Sequence, residues 1–292
     1  MISDISGTRL VEIKTLLIWR YMLTSSKDML LKAQREGYAV GAFNISNLET
    51  LKAIMVAAEK LRSPLILQIA EGSINYAGLA YIAALAREAA QMSGLPIAIH
   101  LDHGKTLEMI KKCIDLGFNS VMIDGSHLSL ADNIVLTKEV VDLAHSKSID
   151  VEGEIGKLSS NPDDFANPVG VKEFVDKTNV DYVAVGIGSS HGVKANLDLD
   201  LLYRIKNQVD VPLVLHGGSG VSDDEIKKVI KSGICKINIH TEIRKAFIEG
   251  FKKGLEENPT SNDMRDILKY SMDEMQKVVE EKIQLFGSGG KI

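Results

Sequence analysis

A single α/β domain, a closed (β/α)8 TIM barrel with extra C-terminal helices, is the fold that this sequence predicts. Three observations support this fold class: short apolar runs alternate with longer segments of helical period, the alternation repeats eight times from residue 27 onward, and polar residues end almost every apolar run. Near-continuous apolar strands are typical of parallel sheets whose outer face is covered by helices, and eight such units close a barrel. An open, doubly wound sheet is the alternative, but it would concentrate its polar residues at one switch point.

The predicted strands are rich in Val, Ile and Leu and are bounded by Gly, Pro or polar residues. They cover residues 39–44, 64–71, 97–104, 120–125, 150–156, 182–188, 212–217 and 235–240. The helical patterns cover residues 48–61, 76–93, 106–116, 130–146 and 171–178, and a long one runs from 242 to about 285. This last pattern exceeds one closing helix, so we expect an additional helical segment or an oligomer contact there. The polar residues 159–164 interrupt the rhythm and are a candidate lid.

The composition argues against several classes of partner. The chain has 292 residues, a net charge of -5 and no long basic run, so neither nucleic acid nor a membrane surface is an expected partner. Cys113 and Cys235 lie far apart inside apolar patterns, which predicts reduced core thiols and a cytoplasmic protein. The apolar run within residues 1–21 is too short to span a bilayer. We expect residues 1–21 to form an N-terminal extension outside a barrel domain that covers residues 22–292.

The third predicted strand ends in Asp102 and His103, directly before Gly104. A buried strand has no structural need for such groups, because ionisable side chains are costly to desolvate without partners. The alternative interpretation is that Asp102 and His103 form a structural pair whose polar groups are satisfied by hydrogen bonds within the fold. The position at a strand end favours chemistry at the mouth of the barrel.

Three histidines follow predicted strands: His103 follows the third, His191 the sixth and His216 the seventh. A barrel brings these strand ends together, and three imidazoles with one open position are the ligand set of a catalytic zinc ion. Asp124 and Glu154 also end strands, and they indicate either a second cation position or a network that orients the histidines. Carboxylates that merely pair with lysines are the alternative.

Glycines follow the seventh strand from Gly217 to Gly220, and polar residues end the eighth strand near Asn238. A glycine run alone is a weak signal, since it can simply form a turn. In a barrel, however, this is where backbone N–H groups and a helix N-terminus commonly bind phosphate. The context therefore predicts an anion site.

Several long motifs, in this order along the chain, resemble the class II, zinc-dependent ketose-bisphosphate aldolases, the family of fructose-bisphosphate and tagatose-bisphosphate aldolases. The segments that carry the resemblance are 37–44, 98–104, 121–127, 188–192, 213–220 and 236–242. The resemblance covers about residues 22–287 and implies an aldehyde-lyase. Such an enzyme reversibly cleaves fructose 1,6-bisphosphate or tagatose 1,6-bisphosphate to dihydroxyacetone phosphate and an aldehyde such as glyceraldehyde 3-phosphate. The expected assembly is a homodimer or homotetramer.

The resemblance also implies roles for individual residues. Asp102 would be the acid/base at the C4 oxygen, and His103, His191 and His216 would hold zinc. Asp124 and Glu154 would correspond to a second metal position, for a divalent or a monovalent cation. The expected substrate-binding residues are Asn44, Gly192, Lys194, Gly217, Gly218, Ser219, Asn238, Ile239, His240, Thr241 and Arg244. Zinc would polarise the ketone, so no lysine Schiff base is needed.

One departure from the family pattern affects the predicted activity. The family loop after the fifth strand carries two glycines and then a glutamate, which moves the proton at the enediolate carbon. Here Ser159 and Ser160 replace the glycines and Pro162 stands in place of the glutamate, so Asp163 or Asp164 would have to carry that proton. Two functions remain open: an active aldolase on a phosphorylated ketose, or a weakened relative that binds a sugar phosphate. A metal-dependent hydrolase on the same barrel is a more distant alternative.

Overall fold

The computed structural model describes residues 23–190 and 196–292, and this part of the chain forms the predicted closed barrel. Each strand pairs in parallel with the next, and the last pairs with the first. The strands are β1 (Val40–Asn44), β2 (Leu65–Ala70), β3 (Ile97–Gly104), β4 (Ser120–Ile123), β5 (Asp150–Ile155), β6 (Tyr182–Val185), β7 (Leu213–Leu215) and β8 (Ile234–Ile239). Closure excludes the open-sheet alternative. The extension predicted for residues 1–21 lies outside the described residues.

The helices alternate with the strands along the chain. They are α1 (Ser26–Glu36), α2 (Leu48–Leu61), α3 (Glu71–Ala77), α4 (Leu79–Met92), α5 (Leu107–Asp115), α6 (Leu130–His145), α7 (Pro168–Thr178), α8 (Leu199–Lys206), α9 (Asp223–Lys231), α10 (Thr241–Glu257) and α11 (Met264–Phe286). Short 3-10 helices form at Pro162–Asp164 and Gly218–Gly220.

Two predicted helical patterns are interrupted in the structure. The pattern at 76–93 corresponds to α4, and its first two residues belong to the end of α3, which begins at Glu71 and was not predicted. Gly78 separates the two helices, and its φ of 84° lies in the left-handed region that favours glycine. The long C-terminal pattern divides into α10 and α11, because Pro259 follows Asn258 at the end of α10 and cannot continue the helix. This confirms the expected extra helix.

Helix α1 closes the N-terminal end of the barrel. Its residues Met29, Leu30 and Ala33 are buried in one apolar cluster with inward-facing strand residues such as Val40 and Tyr182. The other strand faces pack against the surrounding helices in a second, larger cluster. Because α1 covers the N-terminal end, the mouth at the carboxyl ends of the strands is where a site can form.

Two smaller expectations concern the thiols and the membrane. Cys113 and Cys235 are both free and buried, as the sequence predicts. Within residues 23–190 and 196–292, every helix is too short or too polar to cross a bilayer.

Candidate active site

The end of β3 turns His103 into the barrel mouth by an unusual backbone conformation. His103 has a φ of 48°, in the left-handed region, and the pairing register of β3 with β4 shifts between Leu101 and Gly104. A non-glycine residue in this conformation costs about 1–2 kcal/mol, so surrounding contacts must hold it. One such constraint is close packing at Gly104, where an added Cβ would lie 2.6 Å from the carbonyl oxygen of Met122. In this conformation the centroid of the His103 ring lies 4.8 Å from that of the His216 ring.

His103, Glu154 and His216 form a group that could hold a metal ion. One possible ligand atom from each lies within 4.8 Å of the others. Glu154 Oε2 and His216 Nδ1 are buried and have no hydrogen-bond partner among the described residues. Two imidazoles and a carboxylate suit a divalent transition metal, and an ion would satisfy both unpaired atoms. His191, the third predicted histidine ligand, lies outside the described residues.

One ring nitrogen of His103 and one of His216 each lie within hydrogen-bond distance of a carboxylate. Asp124 Oδ2 lies 2.8 Å from His103 Nδ1, and Glu152 Oε1 lies 2.7 Å from His216 Nε2. Asp124 in turn accepts hydrogen bonds from the backbone N–H and the hydroxyl of Ser126. Carboxylates in this position orient metal-binding histidines and select their tautomer. The geometry therefore supports the orienting role for Asp124, while Glu154 stays within reach of an ion.

Glu152, which contacts His216, and its partner Lys236 are buried residues of the site that sequence reasoning missed. Both are fully buried, and Lys236 Nζ lies 2.7 Å from Glu152 Oε2. Burial opposes ionisation of Glu152, but the charge of Lys236 and the bond from His216 hold its pKa well below the usual range. A signal was present in the sequence, because Lys236 stands inside the apolar strand β8, and a buried charge there requires a partner of opposite sign such as a carboxylate of β5.

The charges around His216 favour its protonated form when no metal is bound. Burial lowers the pKa of His216, but the carboxylates of Glu154 and Glu152 outweigh it and raise the pKa to about 10. A bound cation would replace that proton, since metal binding and protonation compete for the same nitrogen. The site is therefore arranged to attract positive charge.

Asp102 is buried beside this group with one carboxylate oxygen available. Its Oδ2 accepts a hydrogen bond of 2.8 Å from Asn44, whose own side-chain oxygen accepts one of 3.1 Å from Gln68. Its Oδ1 is buried and has no hydrogen-bond partner in the described part of the chain. Burial opposes ionisation, but the imidazoles of His103 and His216 lower the pKa of Asp102. Asp102 thus lines the pocket with one unpaired carboxylate oxygen, and Gln68 is a further pocket residue that the sequence did not reveal.

The glycine-rich turn after β7 and the start of α10 contribute to the same pocket. Gly217 has a φ of 67°, and a 3-10 helix begins at Gly218, where an added Cβ would lie 2.6 Å from Ile237 Cγ2. The Ser219 hydroxyl lies 3.3 Å from the backbone N of His240, directly before α10. Backbone N–H groups and a helix N-terminus at one edge favour a phosphate. The pocket is lined by Asn44, Gln68, Asp102, His103, His216, Gly217, Ser219, Asn238, His240 and Thr241.

Other predicted substrate residues lie away from this pocket or outside the described part. The Ile239 side chain packs in the core, so only its backbone could meet a ligand. Arg244 is exposed on the first turn of α10 and does not line the pocket. Gly192 and Lys194 fall in the segment that the structure does not describe.

The loop after β5 is positioned near the anion rim by its own contacts. An added Cβ at Gly217 would lie 3.1 Å from Leu158 Cδ1, so Leu158 covers that edge. Asp164 pairs with Lys157 at 3.0 Å, whereas Asp163 is exposed at the surface. Neither aspartate lines the pocket as it stands.

The fold and the site together define a class of protein: a (β/α)8 barrel enzyme whose mouth places a group able to hold a metal ion in one pocket with a buried carboxylate and a glycine-rich turn. A family model described as fructose-bisphosphate aldolase class-II matches residues 24–291. This chain belongs to the class II fructose-bisphosphate aldolase family, and it is therefore an aldehyde-lyase.

Individual relatives agree with this assignment. The chain is 43% identical to the D-tagatose-1,6-bisphosphate aldolase subunit GatY of Klebsiella oxytoca, over 92% of this chain and 99% of that protein. The crystal structure of the YdjI aldolase from Escherichia coli K12 superimposes with a TM-score of 0.84 at 35% identity, covering 92% of this chain and 99% of that one. A fructose-bisphosphate aldolase from Campylobacter jejuni gives a TM-score of 0.80 at 22% identity, covering 92% and 97%, which supports the fold alone.

Proposed function

We propose that this enzyme is a zinc-dependent aldolase that reversibly cleaves a ketose 1,6-bisphosphate to dihydroxyacetone phosphate and an aldehyde such as glyceraldehyde 3-phosphate. D-Tagatose 1,6-bisphosphate is the first candidate substrate and fructose 1,6-bisphosphate the second. The observation that carries the proposal is the 43% identity to a tagatose-bisphosphate aldolase subunit over 99% of its length. The buried Asp102 beside the metal-capable group supports the same chemistry.

The residues of the pocket divide the work of cleavage. His103 and His216, together with His191, would hold the zinc ion, with Glu154 beside it as a ligand or as part of a second cation position. When bound there, zinc would supply positive charge that polarises the ketone and stabilises the negative charge that develops on the substrate oxygen as the C3–C4 bond breaks. Asp102 Oδ1 takes the proton from the C4 hydroxyl in cleavage and returns it in condensation.

The other side of the pocket positions the phosphorylated half of the substrate. Backbone N–H groups from Gly217 to Ser219, with Thr241 at the start of α10, would bind the phosphate of dihydroxyacetone phosphate. Asn238 Oδ1 is buried without a hydrogen-bond partner among the described residues, so it can accept a bond from a substrate hydroxyl. His240 lines the same pocket and would help to select the sugar.

The preferred sugar is measured by a coupled assay for triose phosphate on a small panel of ketose phosphates. We expect the highest kcat/KM for D-tagatose 1,6-bisphosphate, with lower activity on fructose 1,6-bisphosphate. If zinc-loaded protein releases triose phosphate from none of them, the chain is the weakened sugar-phosphate-binding relative. A preference for a ketose that carries a single phosphate would support the alternative function, an aldolase that acts on another phosphorylated ketose.

The second proton transfer is predicted to depend on Asp163. Asp164 already pairs with Lys157, whereas Asp163 is exposed and can approach the substrate if the loop moves. We expect Asp163→Ala to slow the exchange of the C3 proton of dihydroxyacetone phosphate with solvent by about 10²-fold, while zinc content stays unchanged. NMR of dihydroxyacetone phosphate in deuterated water measures this exchange.

The matched control for that experiment is Asp164→Ala, which should have the smaller effect. Unchanged, rapid exchange in both variants would refute the role of these aspartates. Negligible exchange in the unmodified enzyme would instead support the weakened relative.

The proposed assembly is a homodimer or homotetramer in the cytoplasm. Ile248, Phe251 and Leu255 recur at helical spacing along α10, and between 37% and 51% of each side chain is exposed. Such a face supports self-association, because exposed apolar residues gain free energy when they are covered. Light scattering on the purified protein measures the assembly.

A further inference from the structure

A column of buried polar groups runs through the barrel beneath the metal-capable site. It begins at Glu152, which bonds His216, and ends at Asp150 near helix α1. Its five successive contacts are Glu152 to His100 at 3.4 Å, His100 to Ser120 at 2.7 Å, Ser120 to Tyr182 at 2.5 Å, Tyr182 to Ser26 at 2.9 Å, and Ser26 to Asp150 at 3.0 Å. The four groups between the two carboxylates are completely buried, so they must satisfy one another.

Both ends of the column act as acceptors. Glu152 Oε2 accepts a hydrogen bond of 2.7 Å from Lys236 Nζ, and Glu152 Oε1 lies 2.7 Å from His216 Nε2. Burial raises the pKa of Asp150, but the Ser25 hydroxyl and the Lys27 backbone N–H also converge on the same Asp150 oxygen, at 2.8 and 3.1 Å. An oxygen that receives several donors is an acceptor, so neither carboxylate supplies a proton to the column.

The groups between these ends supply one proton too few. Burial and the neighbouring Lys236 lower the pKa of His100 to about 3, so its ring is neutral and carries one N–H. Ser120, Tyr182 and Ser26 carry one O–H each, which makes four protons for five contacts. One contact must lack a proton. The longest contact is that between Glu152 and His100, and His100 Nε2 is the atom without a hydrogen-bond partner in the described part of the chain.

We propose that Tyr182 and Ser26 are positioning residues, which hold His100 in its Nδ1–H tautomer so that Glu152 accepts an imidazole N–H from His216 alone. Each group then donates toward Asp150, from His100 through Ser120 and Tyr182 to Ser26. Glu152 is left to hold the Nε2–H of His216, and His216 Nδ1 keeps its lone pair for an ion. Only this last consequence rests on the proposed zinc-dependent function.

The count of protons predicts what happens when the column is cut. Without the Tyr182 hydroxyl, His100 and Ser120 have two protons for the two contacts that remain above the cut. The deficit disappears, His100 changes to the Nε2–H tautomer, and it becomes a competing donor to Glu152. Ser26→Ala has the same effect, because three protons then serve three contacts.

The test is the tautomer of His100, read by ¹⁵N NMR on full-length, metal-free protein with ¹⁵N-labelled histidine. A His100→Gln variant identifies the His100 signals. We expect the Nδ1–H tautomer in the unmodified protein and the Nε2–H tautomer in both Tyr182→Phe and Ser26→Ala. Tyr38→Phe is the matched control, since Tyr38 belongs to the same apolar cluster and its buried hydroxyl has no hydrogen-bond partner among the described residues. The control should keep the Nδ1–H tautomer.

Zinc affinity provides a second readout, measured by competition with a chelating dye. We expect Tyr182→Phe to weaken zinc binding by up to about tenfold, which is at the low end of what is lost when a residue that orients a metal ligand is removed. Tyr38→Phe should leave zinc affinity unchanged. An Nε2–H or doubly protonated His100 in the unmodified protein would overturn the proposal, as would a tautomer that survives both cuts. The tautomer result is independent of catalysis, so an inactive protein with the expected tautomers would refute the proposed aldolase activity and leave this inference standing.

Discussion

Removing the metal is expected to abolish aldol cleavage. His103, Glu154 and His216 are available as metal ligands. Among the described residues that line the pocket there is no lysine, so none of them could activate the ketone as a Schiff base in place of the metal. A metal ion contributes several kcal/mol to stabilising charge in the transition state, so its loss should lower the rate by about 10³-fold or more. The measurement is the cleavage rate after chelation, with metal content determined on the same sample. Added zinc should restore the rate.

The variant His216→Ala should lose zinc and turnover together, because it removes the ligand nitrogen and leaves Glu152 without its imidazole partner. His145→Ala is the matched control. His145 is the last residue of α6, where it pairs with Asp181 and does not line the pocket. Zinc content and rate should therefore stay near normal in this variant. Cleavage that persists in verified metal-free protein would refute the zinc mechanism.

Asp102→Asn is expected to keep zinc and lose the acid/base step, with a fall in rate of roughly 10² to 10⁴. The asparagine oxygen can still accept the hydrogen bond from Asn44, so the pocket should keep its shape. The pKa of Asp102 is depressed, which means that its base form persists throughout neutral pH in the unmodified enzyme. The defect should therefore be present across the range from about pH 6 to pH 8.

The control for this charge change is Asp115→Asn, since Asp115 is an exposed carboxylate at the end of α5 that pairs with Lys147. It should leave the rate unchanged. A near-normal rate for Asp102→Asn at any pH in that range would mean that another group handles the proton.

The sequence by itself determined the architecture and much of the site. Eight apolar runs that end in polar residues predicted the barrel, and the structure reproduces β3 with the predicted bounds. Asp102, His103 and His216 could be grouped from sequence because parallel strands in a barrel bring their carboxyl ends to one face. The segment after β7 was assigned to an anion site for the same reason, and its residues Gly217 and Ser219 line the pocket.

Only the tertiary structure decided how these residues are held. The pairs His216–Glu152 and Glu152–Lys236 join residues 64 and 84 positions apart along the chain. The tilt and stagger of the strands decide which side chains meet inside a barrel. The apolar pattern of a single strand contains no information about how the other strands are staggered against it. The left-handed backbone of His103 likewise arises where Gly104 packs against the carbonyl of Met122 on the neighbouring strand. Contacts of this kind stabilise a locally unfavourable conformation, so local sequence preference cannot reveal it.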